Sequence, residues 1–166
     1  MLEIAYHLRD LHFSSLMDVY FEGNAEHAAR EYPHLDANEG RLCAERDFYQ
    51  YLQECFFAAA DAVYAVWKVN GKIVSALRLE PYLDGWLLEA LETAPQYRRK
   101  GFAEALVRAV LEWCEQNGRL PVYSHIDRKN TASLRTHEKC GFVCVLDHAV
   151  EIDGSVSRNA CTMKFS

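Results

Sequence analysis

The sequence predicts an α/β (α+β) fold in one domain over residues 1–166, with a mixed, mostly antiparallel sheet flanked by helices. Three observations carry that expectation. Two turn dipeptides, Asn70-Gly71 and Asp153-Gly154, each sit between β-rich runs and mark hairpins, because such residues accept the positive φ that a tight hairpin turn demands. Between the hairpins, helix-like stretches run from Ala103 to Gln116 and from Asn130 to Cys140, closed by Gly118 and Gly141. Hydrophobic residues make up 50% of the 166, enough for one sizeable core, and no repeat, low-complexity run or linker divides the chain.

Taken in order, Leu2 to Leu8 alternates as a first strand, and Asp10 is placed to cap a helix from Leu11 to Phe21 that Gly23 ends. Asn24 to Tyr32 reads as a short helix closed by Pro33. From Asn38 to about Ala60, Leu42, Phe48, Tyr51, Leu52, Cys55 and Phe56 recur at helical spacing, with Asn38 or Asp47 as the cap. The aromatic residues of this insertion serve either as core or as the wall of a pocket. Ala62–Val69 and Lys72–Glu80 form the first hairpin, Pro81 to Gly85 the next turn, and Trp86 to Thr93 a third consecutive antiparallel strand. Pro95 blocks an early helix start, since the residue before proline is pushed into extended conformations. The helix after it carries Ala105, Leu106, Ala109, Val110 and Trp113 at helical spacing. Pro121 to Ile126 is a short strand, a second helix follows from Asn130, and Phe142–Ile152 with Val156–Phe165 forms the closing hairpin.

Composition excludes several classes of function. With 18 Lys plus Arg against 24 Asp plus Glu, the formal charge is −6, which argues against nucleic acid and mildly favours a cationic substrate. The six cysteines include no C-x-x-C pair, so reduced thiols in a cytoplasmic protein are expected and a metal site is not. Glu3, His7, Arg9 and Asp10 interrupt any signal-peptide pattern at the N-terminus, and the longest apolar stretch, Cys55 to Trp67, is too short to span a bilayer. No membrane partner is expected.

The stretch Gln96-Tyr-Arg-Arg-Lys-Gly-Phe-Ala103 joins a strand to a helix. Such a connection aims free backbone N–H groups and the positive end of the helix dipole at one spot, where anions bind. Read alone it is either that cradle or an ordinary connection with solvated basic side chains. The nucleotide-binding patterns G-x-x-x-x-G-K-[ST] and G-x-G-x-x-G are both missing.

Two segments together resemble the GNAT superfamily of acyl-CoA-dependent N-acyltransferases. Pro95-Gln-Tyr-Arg98-Arg99-Lys100-Gly101-Phe102-Ala103 matches the family's Arg/Gln-x-x-Gly-x-Gly/Ala loop, and Asn130-x-x-Ser133-x-x-x-His137-Glu138-Lys139-Cys140-Gly141-Phe142 looks like its second motif, in the version closest to the phosphinothricin-type branch. The likeness is detailed over Trp86 to Phe142 and rests on element order elsewhere. It implies a GNAT-like domain splayed around its central strands. It also implies acetyl-CoA as cofactor and N-acetyl transfer to a primary amine of a small molecule, an amino acid or a peptide. The alternative on the same fold is a non-catalytic acyl-CoA sensor or protein-binding module.

The resemblance assigns the cofactor to Arg98, Arg99, Lys100, Gly101, Phe102 and Ala103 in the loop, to main-chain groups of Leu91, Glu92 and Thr93, and to Asn130 and Ser133. The chemistry needs more. An amine with a lysine-like pKa of about 10.4 is protonated at neutral pH, so a carboxylate base is wanted; Glu89 is the candidate, its other reading an exposed strand Glu. By the period of two, Glu89, Leu91 and Thr93 share a face, and Ala90, Glu92 and Ala94 the other. An oxyanion donor is expected among the N–H groups of Leu91 to Thr93. Where much of the family has a Tyr to protonate the leaving thiolate, this chain has His137, which acts as that acid or only packs. Tyr123, Ser124 and His125 are further candidates for acceptor contacts. The closing hairpin offers an edge for a homodimer.

Overall fold

The computed structural model describes residues 1–166. In chain order the elements are β1 (Leu2–Ala5), α1 (Phe13–Val19), α2 (Phe21–Glu31), α3 (Ala37–Tyr51), β2 (Val63–Val69), β3 (Lys72–Tyr82), β4 (Gly85–Thr93), α4 (Phe102–Gln116), β5 (Val122–Asp127), α5 (Thr131–Lys139), β6 (Val143–Leu146), β7 (Ala149–Val150), β8 (Val156–Ser157) and β9 (Ala160–Phe165). Seven strands form one sheet in the order β1-β2-β3-β4-β5-β9-β6. Every pairing in it is antiparallel except β4 with β5.

Helices cover both faces of the sheet, which is why Val63 to Val66 is buried throughout and does not alternate. On one face α1 and a π-helical turn at Leu52–Phe56 pack Leu16, Leu52 and Phe56 against Tyr64, Val66 and Ala76. On the other, α4 lays Leu106, Val107, Val110 and Leu111 on Val63, Leu77, Leu79 and Leu88, with Phe142 and Met163 completing the core. The apolar stripe predicted for α4 therefore lies against the sheet.

The helical insertion differs in detail from expectation. Asp10 caps no long helix; its carboxylate accepts from the N–H groups of Tyr6 and His7 (3.3 and 3.0 Å) and ties down the preceding turn. The chain kinks at Tyr20 (φ −95°, ψ 18°), so α1 ends there and α2 begins at once, carrying Gly23 in its first turn. Asp36 caps α3 by accepting from the N–H groups of Asn38 and Glu39, each at 2.9 Å. Asp47 is engaged by the Tyr32 hydroxyl instead. The closing hairpin divides into two parts: its base is β6 with β9, and its tip is the small ribbon β7 with β8.

Candidate active site

The parallel join of β4 and β5 lasts only two residue pairs, Trp86 with Val122 and Leu87 with Tyr123. It is held where Trp86 N–H donates to the Pro121 carbonyl (2.9 Å). The two strands approach so closely here that a Cβ on Gly85 would overlap the Pro121 carbonyl oxygen. Beyond Leu87 the strands part, and from Leu88 to Thr93 the β5-facing edge of β4 has no strand partner. That is the splay implied by the resemblance.

Within the splayed stretch β4 gains one residue. Ala76 pairs with Glu92 while Arg78 pairs with Glu89, and the extra residue is absorbed at Ala90, whose φ is +52°. The bulge overturns the expected face assignment. Leu91 packs against the core beneath α4, and Thr93 sits across from Ser75 with the two hydroxyls 3.0 Å apart. Glu89 instead joins Glu92 on the opposite face, since a strand with an inserted residue no longer alternates with period two. Positive φ at a non-glycine residue is strained, of order 1 kcal/mol or more, and persists where surrounding structure imposes it. Here the Tyr20 hydroxyl donates to the Ala90 carbonyl at 2.8 Å and fixes the bulge to α1 and α2.

The loop after β4 leaves a run of backbone N–H groups free. After a short 3₁₀ turn at Pro95–Tyr97, Arg99 (φ +58°) and Gly101 (φ +81°) both take left-handed conformations. None of the backbone N–H groups from Arg99 through Glu104 donates to a loop, cap or side-chain acceptor. Successive free N–H groups at a helix N-terminus fit a phosphate group. The basic side chains face other duties. Arg98 donates to the Thr93 carbonyl (3.1 Å) and pairs with Glu22 (2.7 Å), and Lys100 donates to the Gln96 carbonyl (3.0 Å) while lying over the Tyr97 ring. They shape the loop and leave its backbone open. A surface cavity of about 370 Å³ lined by Asp18, Phe21, Glu22, Pro95 and Gln96 adjoins it.

On the face where Glu89 lies, side chains from three strands converge around Leu87. Glu89 pairs with Arg78 at 3.0 Å, and the Arg78 guanidinium lies over the rings of Tyr51 and Phe56 (5.1 and 5.6 Å). Glu80, opposite Leu87 in the register, was not singled out from sequence, although the period of two along β3 puts it on one face with Arg78 and Tyr82. Burial first, and then the adjoining Glu89 carboxylate, push its carboxyl up to about 7. Tyr82 packs edge-on against Tyr123 and His125 (5.5 and 5.3 Å) and its hydroxyl donates to the Val150 carbonyl at 2.6 Å. His125 keeps 9% of its side chain exposed, with Nδ1 3.5 Å from a Glu151 carboxylate oxygen and both ring nitrogens free of hydrogen bonds.

The second motif lies on the α4 side. Asn130 caps α5, its side chain accepting from Ser133 N–H at 3.0 Å. His137 is 1% exposed and packs edge-on against Phe142 at 4.9 Å. Its Nδ1 donates to the Ser133 carbonyl at 2.9 Å, a bond that selects the tautomer with a lone pair on Nε2, which has no partner. Burial holds its pKa below the ordinary histidine value. Glu89 and His137 thus stand on opposite faces of the sheet, joined only through the splay. No helix of the chain is long and apolar enough to cross a membrane.

The sequence profile described as the acetyltransferase (GNAT) family matches residues 21–142. Over 55 residues the chain is 40% identical to aminoglycoside N(6')-acetyltransferase type 1 of Serratia marcescens; the match takes in 33% of this chain and spans 38% of that relative's length. The fold is that of the PaiA N-acetyltransferase from Thermoplasma acidophilum, solved in complex with coenzyme A, at TM-score 0.64 and 15% identity over 99% of this chain and 98% of that one. It is similar as well to the ribosomal-protein-S18-alanine N-acetyltransferase of Escherichia coli, at TM-score 0.60 and 19% identity over 99% and 93% of the two chains. These relatives do not single out the phosphinothricin-type branch.

Proposed function

The chain belongs to the acetyltransferase (GNAT) family, and on that premise we propose that it carries the acetyl group of acetyl-CoA to a primary amine of a small molecule, an amino acid or a peptide. The observation that carries this reading is the run of free N–H groups from Arg99 to Glu104 beside the open edge of β4. Arg99 to Ala103 would hold the pyrophosphate, chiefly by main chain, with Arg98, whose own N–H donates to the Pro95 carbonyl at 3.3 Å, shaping the loop; the unpaired edge over Leu91, Glu92 and Thr93 would receive the rest of the cofactor and offer an N–H to the developing oxyanion. Acetyl-CoA, when bound, supplies the activated acetyl thioester. Asn130 and Ser133 support this site by building the start of α5.

Of the two roles open to His137, burial and a lowered pKa favour packing: a neutral imidazole has no acidic proton beyond the one Ser133 already accepts. A thiolate of pKa about 8.5 can take its proton from water. His137 in the second motif remains the reason to associate the chain with the phosphinothricin-type branch. Small cationic amines suit the acidic acceptor face, and the free cysteines suit a cytoplasmic setting.

Calorimetric titration with acetyl-CoA, followed by thiol release across a panel of amines, tests the proposal. Saturable binding and amine-dependent release are expected; no binding at millimolar cofactor ends it, and binding without release identifies an acyl-CoA sensor. Gly101→Glu adds a side chain at φ +81° and a negative charge, and should weaken acetyl-CoA binding by about tenfold or more. Unchanged affinity would remove the phosphate assignment.

A further inference from the structure

Glu89 is the only acidic residue that the family resemblance brings to the acceptor face, yet the structure sets it in an ion pair with Arg78 at 3.0 Å, under the rings of Tyr51 and Phe56. A carboxylate so engaged already serves as partner to a guanidinium that is only 15% exposed. Two other groups on the same face are not tied to a guanidinium. One is Glu80, which has no ion-pair partner and stands across from Leu87, beside Glu89. The other is His125, more than nine-tenths buried on β5, with neither ring nitrogen hydrogen-bonded and Nδ1 3.5 Å from a Glu151 carboxylate oxygen.

The register explains why these groups meet. Leu87 is opposite Glu80 on β3 and opposite Tyr123 on β5. Continuing that parallel register by two residues would set His125 across from Glu89, but the strands have parted there. Glu80 and Glu89 therefore lie on one side of this parting and His125 on the other. Tyr82 lies between, against Tyr123 and His125. Its bond to the Val150 carbonyl anchors the β7–β8 ribbon, which brings Glu151 to His125. A buried imidazole whose ring nitrogens make no hydrogen bond costs stability unless something completes it, and a hydrogen-bonding group of the acceptor would.

Resting on the acetyltransferase reading above, we propose that the reacting amine enters as an ammonium between Glu80 and His125, that Glu80 takes its proton, and that His125 accepts a second amine hydrogen and orients the nitrogen lone pair. Glu89 is then a positioning residue that keeps Arg78 neutralised. The step balances. Ammonium and Glu80 carboxylate become amine and carboxylic acid; the C–N bond forms as the thioester C–S bond breaks; the thiolate departs with that electron pair and is protonated by water, and the surplus proton of the new amide nitrogen is lost to solvent. Groups facing Glu80 are Arg78 on its own strand, Glu89 on β4 and Tyr51 on α3, with His125 and Glu151 across the parting and Tyr82 between. Its raised carboxyl pKa of about 7 suits a base working near neutrality.

The test is the pH dependence of kcat/KM with the best amine of the panel, for wild type, Glu80→Gln, Glu80→Asp, Glu89→Gln and His125→Asn. Glu80→Gln should lower kcat about 100-fold or more, abolish the limb near pH 7 and leave acetyl-CoA affinity within twofold, with Glu80→Asp restoring part of the rate. His125→Asn should raise KM for the amine and keep the limb. If Glu80→Gln retains the limb and turns over within twofold of wild type, Glu80 is not the base. If the limb disappears in Glu89→Gln alone, the role returns to Glu89. Acetyl-CoA binding with no turnover of any amine would end this assignment together with the enzyme reading, whereas normal turnover by Glu80→Gln ends this assignment alone.

Discussion

Glu80 and His137 show how burial sets the working state of single residues. Glu80 has its pKa raised from 4.5 to about 7 in the native chain. Below pH 4.5 it is protonated in both states; between 4.5 and 7 the native state keeps a proton that the unfolded state releases, so stability falls as pH rises through that window. Glu80→Gln should therefore be more stable than wild type at pH 8 and equal to it near pH 4 by urea midpoint. Partial exposure and solvent screening hold the gain to on the order of 1 kcal/mol. His137 has the opposite linkage. Its pKa is lowered, so its contribution is intact above about 6.5 and is lost as acid protonates the unfolded histidine first. Wild type should lose stability between pH 7 and 5 more steeply than His137→Phe, while pH–rate profiles of the two superimpose if the imidazole only packs.

At the level of elements, β4 does most to create the site. One end is pinned to β5 by the close approach of Gly85 to Pro121, the middle bulges at Ala90, and the far end feeds the loop that opens α4. Gly85→Ala must force β4 and β5 apart at their only joined residues. A loss of about 1–3 kcal/mol with weakened acetyl-CoA binding is expected from thermal melts and calorimetry; an unchanged melt would show that the junction yields easily. The strands, the hairpin turns and the extents of α4 and α5 were legible in the sequence, because turn dipeptides, periodicity and glycine stops are local signals. The bulge was not. A left-handed alanine has no sequence signature, and the alternation read along Glu89, Leu91 and Thr93 fails at the point where the chemistry needs it to.

For the whole molecule, assembly turns on the free edge of β6. It is the outermost strand of the sheet, carries no charged residue or proline, and exposes Val143, Val145 and Leu146. Native edges are ordinarily guarded by charge or proline, so we propose that a second copy pairs there as a homodimer. Light scattering should give a dimer at micromolar concentration and a monomer for Val143→Lys, with acetyl-CoA binding kept. A monomeric wild type would discard the dimer.

The sequence by itself determined the fold class and the family, and it singled out Arg98 to Ala103 as the expected cofactor loop, since these rest on periodicity and on two contiguous motifs. Only the tertiary structure brings together the groups around the proposed acceptor site. Glu80, His125 and Glu151 come from three elements separated along the chain, and their convergence depends on a strand register, a bulge and a splay. Those are set by packing between distant segments, which no local pattern records.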